Sequence, residues 1–301
     1  MKRRRYLPTT EKRNPRSENI DELSTLELVD LINAEDVQVP KAVATQRKRI
    51  AAAIDMVVDH FRRGGHLFYV GAGTSGRLGV LDASECPPTF GVSPSLVQGI
   101  IAGGRGALVR SAEGAEDHPQ DGAAAIDKKK VKATDVVVGL AACGMTPYVL
   151  GALKRASNIG AGTVFITCAP EAVKDIPAQI IINPVVGPEV VTGSTRMKAG
   201  TATKLVLNML TTGAMIRLGK TYGNLMVDLK ATNEKLRDRS IRIVMELTGL
   251  SRARARSLLV RAERRVKPAI VMHFRKVGLK DALRILDEHD GSLRKSIEEV
   301  S

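Results

Sequence analysis

A chain of 301 residues, 44% hydrophobic and 26% charged, is long enough for one large globular core with a smaller appendage. No apolar run approaches the ~18 residues of a membrane span, and Lys2-Arg3-Arg4-Arg5 is not followed by the apolar stretch of a secretory leader. The net charge of +14 lies at the two ends, residues 1–17 carrying +6 and residues 235–301 carrying +8, while the stretch between is neutral. With only 3% aromatic side chains there are few platforms for stacked bases, so the excess reads as solvated basic surface and nucleic acid is not an expected partner.

Three cysteines (Cys86, Cys143, Cys168) are odd in number and lack metal-ligand spacing, and the five histidines are scattered. They read as reduced thiols of a cytoplasmic protein, with no metal and no cofactor expected.

In chain order, residues 1–17 are too polar for a core and are expected to be mobile until a ligand or a neighbouring subunit holds them. Ser24 with Glu27 three residues later has the pattern of a capping box opening a helix. Residues 39–63 have apolar side chains near helical spacing and read as one helix, stopped by Gly64-Gly65. Residues 67–70 then form an apolar run bounded by glycine, a buried strand. Strands are also expected at 97–102, 135–140, 163–167 and 178–182, with helices at 122–130 and 148–156 between them. This alternation predicts an α/β fold with a parallel sheet covered on both faces, and such sheets bind ligands beyond the carboxyl ends of their strands. Residues 203–218 are apolar almost all round and predict a deeply buried helix. Beyond 236 the composition predicts three or four short helices forming a small separate domain. The division expected is 1–50 as an arm and helix, 51–235 as the main domain and 236–301 as the helical domain.

Three turns can hold an anion. Gly71-Ala72-Gly73-Thr74-Ser75-Gly76-Arg77 joins the first strand to a helix whose free N–H groups favour negative charge. Its spacing matches the dinucleotide fingerprint, but no carboxylate ends the next strand. Thr74 and Ser75 instead suit one phosphomonoester, and a plain strand-to-helix turn is the other reading. Ala141-Ala142-Cys143-Gly144-Met145-Thr146 is a second such turn, and Gly193-Ser194-Thr195-Arg196-Met197-Lys198 a third, where Arg196 and Lys198 add formal charge. Among carboxylates, Glu85 precedes Cys86-Pro87-Pro88, and if those prolines end the helix the unfavourable dipole end would suit Glu85 to proton donation. Glu113-Gly114-Ala115-Glu116-Asp117 is an acidic loop that solvation alone explains equally well.

Over nearly its whole length the chain resembles the N-acetylmuramic acid 6-phosphate etherases of the sugar isomerase (SIS) group. The likeness rests on Thr10-Glu11-Lys12-Arg13-Asn14-Pro15, on residues 71–77, on Asp82-Ala83-Ser84-Glu85-Cys86-Pro87-Pro88-Thr89, on residues 113–117, on residues 193–202 and on Tyr222-Gly223-Asn224-Leu225-Met226. The resemblance implies a three-layer SIS sandwich with a ubiquitin-associated-like helical domain, in a homodimer with interfacial sites. It implies cleavage of a lactyl ether with water by elimination and hydration, releasing N-acetylglucosamine 6-phosphate and D-lactate during amino sugar recycling. Glu85 is then the proton donor and Glu116 the second catalytic carboxylate. Gly73, Thr74, Ser75, Thr146, Ser194 and Thr195 are candidates for the phosphosugar, Arg196 and Lys198 for the phosphate or the lactyl carboxylate, and Glu189 is held in reserve because related isomerases carry a base there. One departure stands out: the family's usual Ala-Ser-Gly-Arg-Thr reads Ala142-Cys143-Gly144-Met145-Thr146 here, trading a hydroxyl for a weak thiol donor and losing a charge. A non-catalytic sugar-phosphate sensor like the glucokinase regulatory protein, or an isomerase using Glu189, are the competing readings.

Overall fold

The computed structural model describes residues 7–229 and 233–298. The chain divides into two compact units, one of residues up to Ser84 with Ser95–Thr211, the other of Glu85–Pro94 with Thr212 onward.

The first unit opens with short one-turn helices from Thr9 to Glu22 and then α1 (Thr25–Asp36), whose start is fixed by the expected capping box of Ser24 and Glu27. The stretch expected as one long helix is two, α2 (Gln38–Ala44) and α3 (Arg47–Arg62). The break falls at Gln46, whose side chain accepts a hydrogen bond from the Asn183 N–H, while Arg49 reaches the Ile181 carbonyl. Alternation follows: β1 (Leu67–Gly71), α4 (Gly73–Phe90), β2 (Val97–Ile101), α5 (Pro119–Lys128), β3 (Val136–Leu140), α6 (Pro147–Ile159), β4 (Gly162–Ile166), β5 (Ile180–Ile182) and α7 (Lys198–Arg217).

The five strands are parallel in the order β2-β1-β3-β4-β5. Phe68, Val70, Val137 and Phe165 form one core with Tyr148, Val149, Ala152 and Leu153 of α6 and Ile126 of α5. The alternate positions point to the opposite face, where Gly79 of α4 lies against Tyr69 and Gly162 against Met56 and His60 of α3. Helices on both faces make the three layers. The strand order reverses between β1 and β3, and this switch point opens a crevice beyond their carboxyl ends. Gly71 pairs in register with both Leu140 and Ile101, so three successive loops leave the sheet at one level.

In the second unit a hairpin of β6 (Thr221–Tyr222) and β7 (Leu225–Met226) precedes α8 (Glu234–Thr248), α9 (Arg252–Arg261), α10 (Val266–Arg275), α11 (Leu279–Glu288) and α12 (Leu293–Glu298). There are thus five helices among the described residues rather than three or four, because α12 is one short polar-faced segment that periodicity does not reveal. Its apolar core runs through Ile243, Leu258, Ile270 and Leu286. Buried Lys267 clamps this unit together, its Nζ 2.5 Å from Asp228 Oδ2 and 2.7 Å from the Gly291 carbonyl.

α7 is less enclosed than its sequence suggests. Thr201, Lys204, Met209, Thr212 and Ile216 recur along one face and are exposed. No helix among the described residues is long and apolar enough to cross a membrane.

Candidate active site

The turn from β1 into α4 is the tightest of the three. A methyl placed on Gly76 would lie 2.6 Å from Ile101 Cγ1 and 2.8 Å from the Gly71 carbonyl oxygen, so only glycine lets the helix start this close to the sheet. Gly73 has φ +50° and open space around its Cα, so glycine is needed there for backbone conformation rather than room. The Gly76 N–H bonds to the Ala72 carbonyl, but the N–H groups of Thr74 and Ser75 meet no acceptor among the described residues. First-turn N–H groups have no partner inside their own helix, so the positive end of α4 is unspent.

Beside this turn is a cavity of about 260 Å³. Its lining includes Gly73, Arg77, Ser111, Glu113 and Glu116. Arg77 donates from Nε to the Leu108 carbonyl and from Nη2 to the Arg110 carbonyl, fixing the loop after β2 against α4. The Glu116 carbonyl accepts the Tyr148 N–H at 2.9 Å, which ties the acidic loop to the start of α6. Gly73 and Glu116 of the expected site therefore meet in one cavity. Arg77 and Glu113 join them, and sequence reading missed both as site residues although both lie inside the recognised motifs.

The other two turns are filled by the protein itself. At α6, Pro147 has no N–H, the Tyr148 N–H goes to Glu116 and the Val149 N–H to the Thr146 carbonyl. Thr146 is buried and makes no side-chain cap. At α7, Glu189 is wholly buried and its two carboxylate oxygens accept the N–H groups of Lys198 and Ala199, each at 2.9 Å. Burial pushes the Glu189 carboxyl above its ordinary value against the pull of those two N–H groups and the Lys198 charge. Glu189 caps a helix, and the anion-favouring end of α7 already holds an anion.

Lys198 lies apart from the cavity lining. It is buried and its ammonium sits 2.5 Å from Glu35 Oε2, not in the cavity. Glu35 also accepts from Arg16 Nη1 at 2.8 Å and Asn14 Nδ2 at 2.9 Å. Burial pushes the Glu35 carboxyl up, but the bonds from Lys198 and Asn14 and the charges of Lys198 and Arg16 outweigh it and hold the group below its ordinary value. Arg196 is exposed and Ser194 and Thr195 are half-buried. Thr74 and the Thr195 carbonyl lie 3.7 and 3.5 Å from where a methyl on Gly200 would sit, so the first and third turns adjoin.

Glu85 also differs from expectation in its setting. Pro87 and Pro88 lie inside α4, which continues to Phe90 and closes on Gly91, whose N–H bonds to the Pro87 carbonyl. Glu85 is thus not at the helix end, and the dipole argument for it loses its premise. It is exposed, three turns past Gly73, about 18 Å along the helix at 1.5 Å per residue. Cys143 is half-buried. Burial raises its thiol, and the charges of Glu116 and Glu11 add to that rise.

Two family models match the chain: the glucokinase regulatory protein N-terminal SIS domain over residues 49–157, and the C-terminal lid domain of glucokinase regulatory protein over residues 223–273. Similarity to curated proteins is far more extensive. A protein of Nostoc sp. (strain PCC 7120 / SAG 25.82 / UTEX 2576), named N-acetylmuramic acid 6-phosphate etherase, is 55% identical over 288 residues, covering 96% of this chain and 94% of its own. Proteins of the same name from Crocosphaera subtropica (strain ATCC 51142 / BH68) and Rhodopirellula baltica (strain DSM 10527 / NCIMB 13988 / SH1) are each 55% identical, covering 96% and 95% of this chain and 95% of their own.

Proposed function

Because the chain belongs to the family of N-acetylmuramic acid 6-phosphate etherases, an enzyme family, we propose that it cleaves the D-lactyl ether of N-acetylmuramate 6-phosphate. The products are N-acetylglucosamine 6-phosphate and D-lactate, and the reaction belongs to amino sugar recycling in the cytoplasm.

The observation that carries the site is the β1–α4 turn, whose unsatisfied N–H groups adjoin the cavity lined by Glu116. The phosphoryl group binds there, against the N–H groups of Thr74 and Ser75 and their hydroxyls. Ser194 and Thr195, next to Thr74, hold the sugar. With the ring open, C2 lies next to the C1 aldehyde, so its proton is acidic. Glu116 removes that proton and, because Glu85 of the same chain lies about 18 Å along α4 from Gly73, the lactyl oxygen leaving C3 is protonated by Glu85 of the partner subunit. Water then adds to the unsaturated aldehyde. Positioned acid–base groups are each worth about 10²–10⁴ in rate, which suits this elimination. The enzyme acts as a homodimer. The exposed Leu26 and Val29 of α1 support a covered apolar surface.

The test is release of D-lactate from N-acetylmuramate 6-phosphate by the wild-type chain and by Glu85→Gln and Glu116→Gln. Each variant is expected to lose roughly 10²–10⁴ of the rate with unchanged thermal unfolding. Wild-type binding of the ester without lactate release favours the sensor reading. Full activity in both variants refutes the assignment of the two carboxylates.

A further inference from the structure

The N-terminal arm is held across the third turn by a set of specific bonds. Thr9 donates from N and Oγ1 to Glu171, and Lys12 pairs with the same carboxylate. Asn14 donates to Glu35 and to the Pro188 carbonyl, and Ser17 to the Val190 carbonyl at 2.8 Å. Between these anchors lies Glu11, in the one-turn helix Thr9–Glu11. A methyl on Gly193 would sit 3.0 Å from Glu11 Oε2 and 4.0 Å from Oε1, so the carboxylate lies directly over the Gly193 Cα. Gly193 has φ +76° and precedes Ser194 and Thr195.

The carboxylates around this arm fall into two groups. Glu35, Glu171 and Glu189 are each paired with protein donors. Glu11 is half-buried, and its carboxylate has no hydrogen bond or ion pair among the described residues. The neighbouring Thr10 hydroxyl is fully buried and likewise unpartnered. The arm therefore holds beside the third turn a carboxylate that no protein donor occupies, free to accept from a molecule bound there.

We propose that Glu11 is a substrate-contacting residue that accepts a hydrogen bond from a neutral donor of the bound sugar, a hydroxyl or the acetamido N–H. This rests on the sugar-phosphate reading above. Charge decides what it can touch: a carboxylate repels the phosphoryl group and the lactyl carboxylate, which leaves the uncharged part of the sugar. The arm thus reads the sugar while the α4 turn holds its phosphate.

The experiment measures binding of N-acetylglucosamine 6-phosphate to the full chain by calorimetry, for wild type, Glu11→Ala and the isosteric Glu11→Gln. It is repeated with glucose 6-phosphate, with the 3-deoxy and 4-deoxy sugar phosphates, and with inorganic phosphate. Loss of a charged hydrogen bond predicts about a tenfold or greater rise in Kd for Glu11→Ala. That loss should shrink below threefold for the one analogue lacking the matched donor, and inorganic phosphate should bind both proteins alike. Kd within threefold of wild type in both variants overturns the proposal. So does an equal loss for every analogue and for phosphate, which marks a structural role. Should Glu11→Ala fail to fold, Glu11→Gln is read instead, with a smaller expected rise in Kd of about three- to tenfold because its amide oxygen still accepts a neutral bond, and a Kd within threefold of wild type overturns the proposal. Wild-type lactate release tests the etherase reading separately, so the two can fail independently.

Discussion

Lys198 separates two accounts of the third turn, as a ligand-binding cation or as an internal partner, and Lys198→Met distinguishes them. Methionine keeps the length of the side chain and removes its charge. Removing one member of a buried pair costs about 3–5 kcal/mol, because the other is left charged and short of partners. Here Glu35 keeps Arg16 at 2.8 Å and Asn14 at 2.9 Å, so the lower end applies, about 3 kcal/mol. For a unit of this size that is a fall in Tm of roughly 6–12 °C. The double variant Lys198→Met/Glu35→Leu should recover much of it, since an apolar pair of similar volume often replaces a buried ion pair without loss. Acid unfolding gives an independent readout. The Glu35 carboxyl lies below its ordinary value of 4.5, so its contribution is present above that value and is lost as pH falls through the lower folded one. In Lys198→Met that acid-dependent loss should be smaller. A variant with wild-type urea and thermal stability but no affinity for sugar phosphate would refute the internal-pair account and return Lys198 to the ligand.

Two further substitutions test the frame of the site. Gly76→Ala puts a methyl 2.6 Å from Ile101 Cγ1 and 2.8 Å from a backbone oxygen. It should cost about 1–3 kcal/mol by urea unfolding and weaken sugar-phosphate binding, and retention of both would mean the turn is not as tight as described. Asp82 accepts from Tyr69, Asn208 and Thr211, and burial raises its carboxyl against those three bonds. The folded protein therefore binds this proton more tightly than the unfolded chain, and stability declines as pH rises from the ordinary value of 3.8 through the raised one. Asp82→Asn can keep all three contacts, so it should flatten that slope and leave stability at pH 7 within about 1 kcal/mol of wild type or above it; a larger loss at pH 7 would show that the charge itself is needed.

The sheet was legible because each strand is a short apolar, β-branched or glycine-bounded run, and the α1 cap because Ser24 and Glu27 carry their signal within four residues. What failed was long-range. Nothing near Lys198 in the chain announces Glu35, 163 positions away, and a basic residue at a helix start looks the same whether it meets substrate or a buried carboxylate. Glu189 was noticed as a base by resemblance, but its role as cap of α7 appears only once the intervening turn is folded back. The break between α2 and α3 has no glycine or proline at it; it follows from bonds between Gln46 or Arg49 and the strand region near β5. Conversely, Pro87 and Pro88 carry a strong local stop signal that the α4 helix overrides by one turn.

The charge inventory around the cavity leads to a last prediction. Arg77 is the cation in its lining, and Glu113 and Glu116 are there with it. Lys198, Arg16 and Lys12 are committed to Glu35 and Glu171. A phosphomonoester dianion held here is therefore held by oriented N–H groups and hydroxyls rather than by a clamp of formal charges. Those short-range bonds are little screened by salt. Raising the ionic strength from 0.1 to 1 M shortens the Debye length from about 10 to about 3 Å, which weakens attraction to exposed cations and equally relieves repulsion from Glu113 and Glu116. The Kd for N-acetylglucosamine 6-phosphate should change by less than about twofold over that range. A tenfold weakening, abolished in Arg196→Ala, would move the phosphoryl group from the α4 turn to the exposed arginine before α7.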